Sequence, residues 1–102
     1  MRLFVITPHA RLDILSGAEW YEAQREGLGD EFLTEADGVI ALMRNHEEFV
    51  TAPYEVFSSF VVRRLFFERF PYRAFFTETD GRRDAIAFLK HGQDEERWRA
   101  RV

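Results

Sequence analysis

The 102-residue sequence predicts an α+β fold in which an antiparallel sheet packs against an N-terminal helical hairpin, in the order β-α-α-β-β-β(-α). Three observations lead to this prediction. Between Phe57 and His91 the chain has three apolar runs rich in aromatic and β-branched residues, which strands prefer. Breaks at Arg69–Pro71 and Asp80–Gly81 separate these runs. Two earlier stretches repeat apolar residues at helical spacing. The whole chain, residues 1–102, is expected to be one domain.

The first strand is predicted over Arg2–Thr7, which is apolar on both faces. Thr7 is a good N-cap for a following helix, and Pro8 fits the first helical position because its missing N–H is not needed there. Helical spacing then predicts an inward face and an outward face. The inward face comprises Ile14, Ala18 and Tyr21 with Leu15 beside them, and the outward face comprises Asp13, Glu19 and Glu22.

The second helix is predicted after a short turn at Arg25–Asp30, with Asp30 as its N-cap and its end near Asn45-His46. Its apolar stripe comprises Phe32, Ala36, Val39 and Met43, widened by Leu33 and Ile40. Two amphipathic helices joined by a short turn form an antiparallel hairpin. Glu47–Val56 is then predicted to be a loop, and Gln93–Val102 a short helix.

The three apolar runs are predicted to form a meander, with Asp80-Gly81 in a type I′ hairpin turn. Arg63 and Arg64 lie inside the most apolar run. Successive strand residues point to opposite faces, so these two arginines cannot share one. Either one is solvated and the other lies near a strand end, or one face carries a cationic groove for phosphates or an acidic partner.

Composition and charge exclude several classes of protein. The chain has no cysteine, so it has no disulfides and no thiolate chemistry. No apolar run has the roughly 20 residues of a membrane helix, and the first residues are too short for a signal peptide. Residues 1–56 carry 4 basic and 11 acidic side chains, whereas residues 57–102 carry 10 basic and 7 acidic, which gives −7 and +3. The overall charge of −4 argues against non-specific nucleic-acid binding.

Candidate chemistry is concentrated in the meander. No serine lies in a nucleophile elbow, and His9, His46 and His91 fall in three separate elements, so no metal or cofactor site is expected. The remaining constellation is Arg63, Arg64, Arg69, Tyr72, Arg73 and His91. Metal-independent RNA cleavage needs a base, an acid and cations at the phosphate, which these residue types supply. Alternatively, His91 is a structural histidine and Tyr72 packs at a strand start.

The chain resembles the RelE/ParE superfamily of type II toxin–antitoxin toxins, and within it the ParE-like, or plasmid stabilisation, branch. The matching residues are Pro8-x-Ala10, Glu19-Trp20-Tyr21-Glu22, Gly27-Leu28-Gly29-Asp30-x-Phe32, Val62-Arg63-Arg64, Arg69-Phe70-Pro71-Tyr72, His91 and Arg97-Trp98-Arg99. These matches extend from near residue 5 to the end of the sequence, and their order and spacing carry the resemblance.

The resemblance implies a cytoplasmic toxin that a cognate antitoxin protein holds inactive. RelE-like members cleave mRNA on the ribosome, with basic and aromatic side chains on the sheet face. ParE-like members poison DNA gyrase and are not known to cleave nucleic acid. This sequence has one lysine, Lys90, and the stretch Gln93-Asp94-Glu95-Glu96 is acidic at three of its four positions, where a nuclease would need positive charge. These departures favour a gyrase-directed, non-enzymatic activity or a toxin whose activity has decayed. Arg64, Arg69 and His91 keep the nuclease alternative open.

The resemblance also implies site residues and partners. A nuclease would use His91, Arg64, Arg69 and Tyr72, and the expected partner-binding residues are Arg63, Arg64, Arg73, Arg97 and Trp98. The expected partners are the antitoxin and DNA gyrase, with the ribosome and mRNA as the alternative and no membrane. A homodimer, a toxin–antitoxin hetero-oligomer and a non-toxic binding module of the same fold all remain open.

Overall fold

The computed structural model describes residues 2–46, 52–92 and 95–102, and it confirms an α+β fold. The elements are β1 (Leu3–Ile6), α1 (Pro8–Gln24), α2 (Leu28–Asn45), β2 (Glu55–Val56), β3 (Val61–Phe66), β4 (Tyr72–Thr79), β5 (Arg82–Lys90) and a 3-10 helix (Glu95–Arg101). The strands form one sheet in the order β1-β5-β4-β3-β2. Within the described residues, neither α1 nor α2 is long and apolar enough to cross a membrane.

The sheet is mixed, which corrects the prediction of a purely antiparallel one. Strands β2 to β5 are antiparallel neighbours, so the predicted meander is confirmed. Strand β1 runs parallel to β5, with Leu3 opposite Arg82 and Ile6 opposite Ala85. Arg2 Nη1 donates to the His46 carbonyl oxygen at 2.8 Å, so the helical hairpin returns the chain to the end of the sheet where β1 begins. The direction of β1 relative to β5 is set by elements that are far apart in the chain rather than by local sequence.

The hairpin between β4 and β5 has a different turn from the predicted one. Gly81 has a φ of 80°, but no other residue of that turn has a positive φ. A type I′ turn needs positive φ at both central residues, so Asp80-Gly81 does not form one. The other predicted break is confirmed, since β4 begins at Tyr72, directly after Pro71.

The predicted N-cap of α1 is confirmed, and the predicted N-cap of α2 is wrong. The Thr7 hydroxyl accepts a hydrogen bond from the Ala10 backbone N–H at 3.2 Å and caps α1, as predicted. Helix α2 begins two residues before Asp30, with Gly27 at its N-cap and a φ of 87°. The Glu22 carboxylate of α1 accepts hydrogen bonds from the Gly27 and Gly29 backbone N–H groups at 3.0 Å, so it replaces a side-chain cap from α2 itself.

Two hydrophobic cores lie on opposite sides of the sheet. We call the side covered by α1 and α2 the helix face and the other side the far face. The helix-face core includes Tyr21, Phe32, Met43, Phe67, Phe70, Phe76 and Phe88, and the far-face core includes Val62, Phe75, Ile86, Ala87, Leu89 and Trp98. The predicted inward positions of α2 are buried as expected. Leu15 is exposed, and the Asp13 side chain is largely buried, contrary to prediction.

Short segments cover the far face, and their type was not predicted correctly from the sequence pattern. Residues 47–51 of the predicted loop and residues 93–94 of the predicted last helix lie outside the described part of the chain. Within that loop, Glu55–Val56 forms the edge strand β2 rather than irregular chain. The last helix is a 3-10 helix, and its Trp98 ring stacks on Phe75 with centroids 5.8 Å apart.

Two glycines let the helices approach each other and the sheet. A Cβ atom at Gly17 would lie 2.8 Å from the Phe32 ring, and one at Gly29 would lie 2.7 Å from the Ala18 carbonyl oxygen. Real Cβ atoms essentially never make contacts this short, so a larger residue at either position would force a neighbouring group to shift. This packing explains Gly17, whose place inside a helix is otherwise unfavourable.

We expect the Gly29→Ala substitution to lower the free energy of unfolding by about 1–3 kcal/mol, because the added methyl group meets backbone that cannot move aside. Gly38→Ala is the matched control in the same helix, since a Cβ there meets nothing within 4 Å. That control is expected to stabilise the chain by about 0.5–1 kcal/mol. Urea unfolding of both variants measures the difference, and equal effects would contradict the close approach.

Candidate functional site

Three of the predicted site residues lie together on the far face, at the end where β3 and β5 finish. Arg64 alternates with Val62 on β3, and Arg73 alternates with Phe75 on β4, so both arginines share the face of the far-side core. His91 follows β5 directly, and its backbone N–H donates to the Pro71 carbonyl oxygen at 2.7 Å. The meander therefore brings these side chains to one corner of the sheet.

Cationic and aromatic side chains alternate in a row at this corner. The Arg64 guanidinium lies over the Tyr54 ring, 4.0 Å from its centroid, and 5.1 Å from the Phe66 centroid. The Arg73 guanidinium lies 4.5 Å from the same Phe66 centroid. Phe66 is 57% exposed, so the row is open to solvent. We call Tyr54, Arg64, Phe66, Arg73 and His91 the arginine–aromatic cluster.

His91 ends the row through a hydrogen bond between its Nδ1 atom and Arg73 Nη1. A guanidinium group has donors only, so Nδ1 must accept this bond. The contact gives His91 a role in holding Arg73 over Phe66, in addition to any role in proton transfer.

Arg63 lies on the opposite face of the sheet, inside an ion-pair network. Its Nε atom donates to Glu78 Oε1 at 2.8 Å, and Arg83 Nε donates to Glu78 Oε2 at 2.6 Å. Arg83 is fully buried, and its Nη1 atom also donates to the Met43 carbonyl oxygen at 2.7 Å. Burial raises the pKa of Glu78, but the hydrogen bonds from Arg63 and Arg83 more than offset this effect and hold the pKa below its usual value.

Arg69 and Tyr72 are not in the cluster. Arg69 Nη2 donates to Glu31 Oε1 of α2, and the hydrogen bonds from Arg69 and then Arg25 lower the pKa of that carboxyl group. The Tyr72 ring packs in the helix-face core, 4.8 Å from the Phe32 ring. Of the four residues predicted for a nuclease, Arg64 and His91 belong to the cluster. Tyr72 borders it, because it lines a cavity of about 150 Å³ together with Phe66, Arg73 and His91.

The last two predicted residues have separate environments. Trp98 is fully buried in the far-face core, so a partner could contact it only if the 3-10 helix moved. Arg97 lines a groove of about 340 Å³ between α1 and β5, away from the cluster. Their roles as partner contacts stay predictions, and the structure adds a packing role for Trp98.

Phe66 and Tyr54 belong to the cluster but were not among the site residues predicted from the sequence. The position of Phe66 could have been predicted, because side chains two residues apart on a strand lie on the same face, and Phe66 is two residues after Arg64. Tyr54 had no local signal, since it follows a segment without periodicity and reaches Arg64 only through the β2–β3 pairing. Sequence alone therefore identified the cations of the cluster and not the rings that orient them.

The described residues hold no group of three metal-ligating side chains that could bind an ion. The chain was compared with protein-family models, with curated proteins and with solved structures, and none of the three comparisons gave a match.

Proposed function

We propose that this chain is the toxin of a type II toxin–antitoxin pair, with a RelE/ParE-like fold, that acts on DNA gyrase by protein contact. The arginine–aromatic cluster is the observation that supports this proposal most. Arginine and aromatic side chains are enriched among the residues that dominate protein interfaces. Here two arginines are held over an exposed phenylalanine, so little side-chain entropy is lost when a partner binds.

The toxin assignment derives from the sequence resemblance, and the element order of the structure agrees with it. Two helices follow the first strand and precede the meander, as in the proposed fold. Residues 57–102 carry a net positive charge, and both arginines of the cluster belong to that part of the chain. An acidic antitoxin segment would complement this surface, and its binding there would keep the toxin from its target.

A ribosome-dependent mRNA endonuclease is the second candidate, and the cluster also gives it some support. Arginines bind phosphates and exposed rings stack on bases, which is how proteins hold single-stranded RNA. Against it, Arg69 binds Glu31 and Tyr72 packs in the helix-face core. A nuclease site at the cluster would lack Arg69 and would have Tyr72 only at its border, so protein contact is the better-supported activity.

Expression of the chain in bacteria without an antitoxin is expected to arrest growth. Arg64→Gln and Arg73→Gln should each relieve the arrest, because an interface arginine of this kind contributes about 2 kcal/mol, or roughly thirtyfold in affinity. Arg11→Gln is the matched control, since Arg11 is exposed on α1, on the other side of the molecule. Colony counts at matched protein levels measure the effect, and harmless expression of the wild type would overturn the toxin assignment.

The His91→Gln variant distinguishes gyrase poisoning from mRNA cleavage. Glutamine keeps an acceptor for Arg73 but cannot carry a proton at neutral pH. Gyrase poisoning predicts that this variant still arrests growth, with DNA damage appearing before translation stops. The nuclease alternative predicts that it grows normally, and that the wild type cuts mRNA in translating cells.

A further inference from the structure

Strand β1 forms one edge of the sheet, and its backbone is available to a further strand. The Leu3 and Thr7 backbone N–H groups donate to carbonyl oxygens on the β5 side, at 2.8 and 3.0 Å. Successive residues of a strand turn their backbone groups to opposite sides, so the N–H and C=O groups of Phe4 and Ile6 point away from β5. Among the described residues, no strand pairs with this side of β1.

The two edges of the sheet differ in their protection against further pairing. Proteins protect edge strands by short length, charged side chains and prolines. At the opposite edge, β2 has two residues, one of them Glu55, and Pro53 lies just before it. Strand β1 has four residues, all of them apolar, and Leu3 is 53% exposed. The β1 edge therefore has the composition of a pairing surface rather than that of a protected edge.

The side chains of β1 point to both faces of the sheet. Phe4 and Ile6 pack against the helix-face core, so Leu3 and Val5 point to the far face. Apolar and β-branched side chains that lie opposite each other stabilise an antiparallel pair of strands. A new strand at this edge would therefore gain side-chain contacts on both faces in addition to its hydrogen bonds.

A second copy of β1 matches this edge in register. If two copies run antiparallel about a twofold axis at Val5, Phe4 of each copy lies opposite Ile6 of the other. These are the two residues whose backbone groups point outward, so each such pair exchanges hydrogen bonds in both directions. Val5 then lies opposite Val5 of the second copy, in the closer, non-hydrogen-bonded type of pair.

A long strand from another protein fits this edge less well. Pro8 has no N–H and begins α1, so the edge ends at Thr7. Only Phe4 and Ile6 turn their backbone groups outward within this length. A longer partner strand would extend beyond these groups without gaining hydrogen bonds, whereas a second copy of β1 has the same length and ends at the same points.

We propose that β1 binds β1 of a second copy of this chain, antiparallel and centred on Val5, so that two five-stranded sheets become one continuous sheet. The inference does not need the proposed function, because the arginine–aromatic cluster does not include β1. The twofold axis of such a pair is perpendicular to the sheet, so both far faces point the same way. The dimer would present two clusters on one side, and a target with two equal sites would bind it more tightly than the monomer.

Single cysteines test the register, since the chain has no cysteine of its own. Cα atoms in a non-hydrogen-bonded antiparallel pair lie about 4.5 Å apart, within the range that a disulfide spans. Val5→Cys should therefore form a disulfide-linked dimer on mild oxidation. Leu3→Cys is the matched control on the same face, because the two Leu3 positions would lie about 13 Å apart along the strands. Equal cross-linking of the two variants, or none in Val5→Cys, would overturn the proposal.

Sedimentation and hydrogen exchange of the wild type locate the interface without any substitution. The interface is small, so we expect a monomer at about 1 μM and a dimer at about 1 mM. The Phe4 and Ile6 amides should exchange about tenfold more slowly at the higher concentration, whereas the Val5 amide, which points to β5, should be protected at both. A monomer at both concentrations would overturn the proposal, and so would a dimer in which the Phe4 and Ile6 amides gain no protection.

Discussion

Replacing Arg83 with methionine is expected to lower the free energy of unfolding by about 3–5 kcal/mol. Arg83 is fully buried and donates to Glu78 Oε2 and to the carbonyl oxygens of Met43 and His46. These carbonyl groups belong to the end of α2, where backbone acceptors have no partner within the helix. Methionine fills much of the volume but leaves the acceptors unsatisfied, at about 1–3 kcal/mol for each buried group.

Arg82→Met is the control for this prediction. Arg82 is the neighbouring residue on β5, but its side chain is exposed and pairs with Asp84 in solvent. Exposed ion pairs contribute little to stability. We therefore expect the urea midpoint of this variant to stay at the wild-type value, and a loss equal to that of Arg83→Met would contradict the buried role of Arg83.

The ion-pair network of Arg63, Glu78 and Arg83 predicts how the stability of the fold depends on pH. Arg63 and Arg83 lower the pKa of Glu78 in the folded chain, so its carboxylate stabilises the fold at any pH above its unfolded pKa of 4.5. As the pH falls from that value through the lower folded pKa, this stabilisation is lost. Urea unfolding between pH 7 and pH 3 should show the loss in the wild type, and Glu78→Gln should reduce its slope.

The second large effect is expected from Asp13→Ala, at about 2–4 kcal/mol. The substitution removes the acceptor for the Phe88 backbone N–H and leaves the Arg101 guanidinium, which is largely buried, without its carboxylate. Both losses fall at the edge of β5 that β1 does not cover. The helix-face core would persist, so the damage should be concentrated at that edge.

Hydrogen exchange gives the sharpest test of the Asp13 prediction. The Phe88 amide should exchange much faster in Asp13→Ala, whereas the Ala85 region paired with β1 should keep its protection relative to global stability. Glu19→Ala is the matched control on the same helix, because Glu19 is exposed and has no role in the edge. Unchanged protection of Phe88 would show that the side-chain contact does not hold the edge in solution.

Local patterns in the sequence predicted most of the elements. The start of α1 at Thr7-Pro8, the buried stripe of α2 and the meander each depend on neighbours within a few residues, and each was confirmed. The parallel pairing of β1 and the edge strand β2 depend on partners far along the chain, which no local pattern encodes.

Predictions about the candidate site also succeeded where they depended on neighbouring residues and failed where they depended on distant ones. The alternation of side chains along a strand predicted that Arg63 and Arg64 point to opposite faces of the sheet, and the structure confirms this. Sequence could not show that Glu31 binds Arg69, because these residues are 38 positions apart and meet only when α2 packs beside the β3–β4 loop. Asp13 was wrongly placed in solvent for a similar reason, since its partners Phe88 and Arg101 come from the other end of the chain.

The central claim is that the arginine–aromatic cluster acts on another macromolecule, with gyrase as the proposed target. Supercoiling by purified gyrase, with the folded chain added in stoichiometric excess, tests it most directly. The account predicts inhibition by the wild type and by Arg11→Gln, and its loss in the Arg64→Gln/Arg73→Gln double variant. Unimpaired supercoiling in the presence of the folded wild type, or equal inhibition by the double variant, would contradict it.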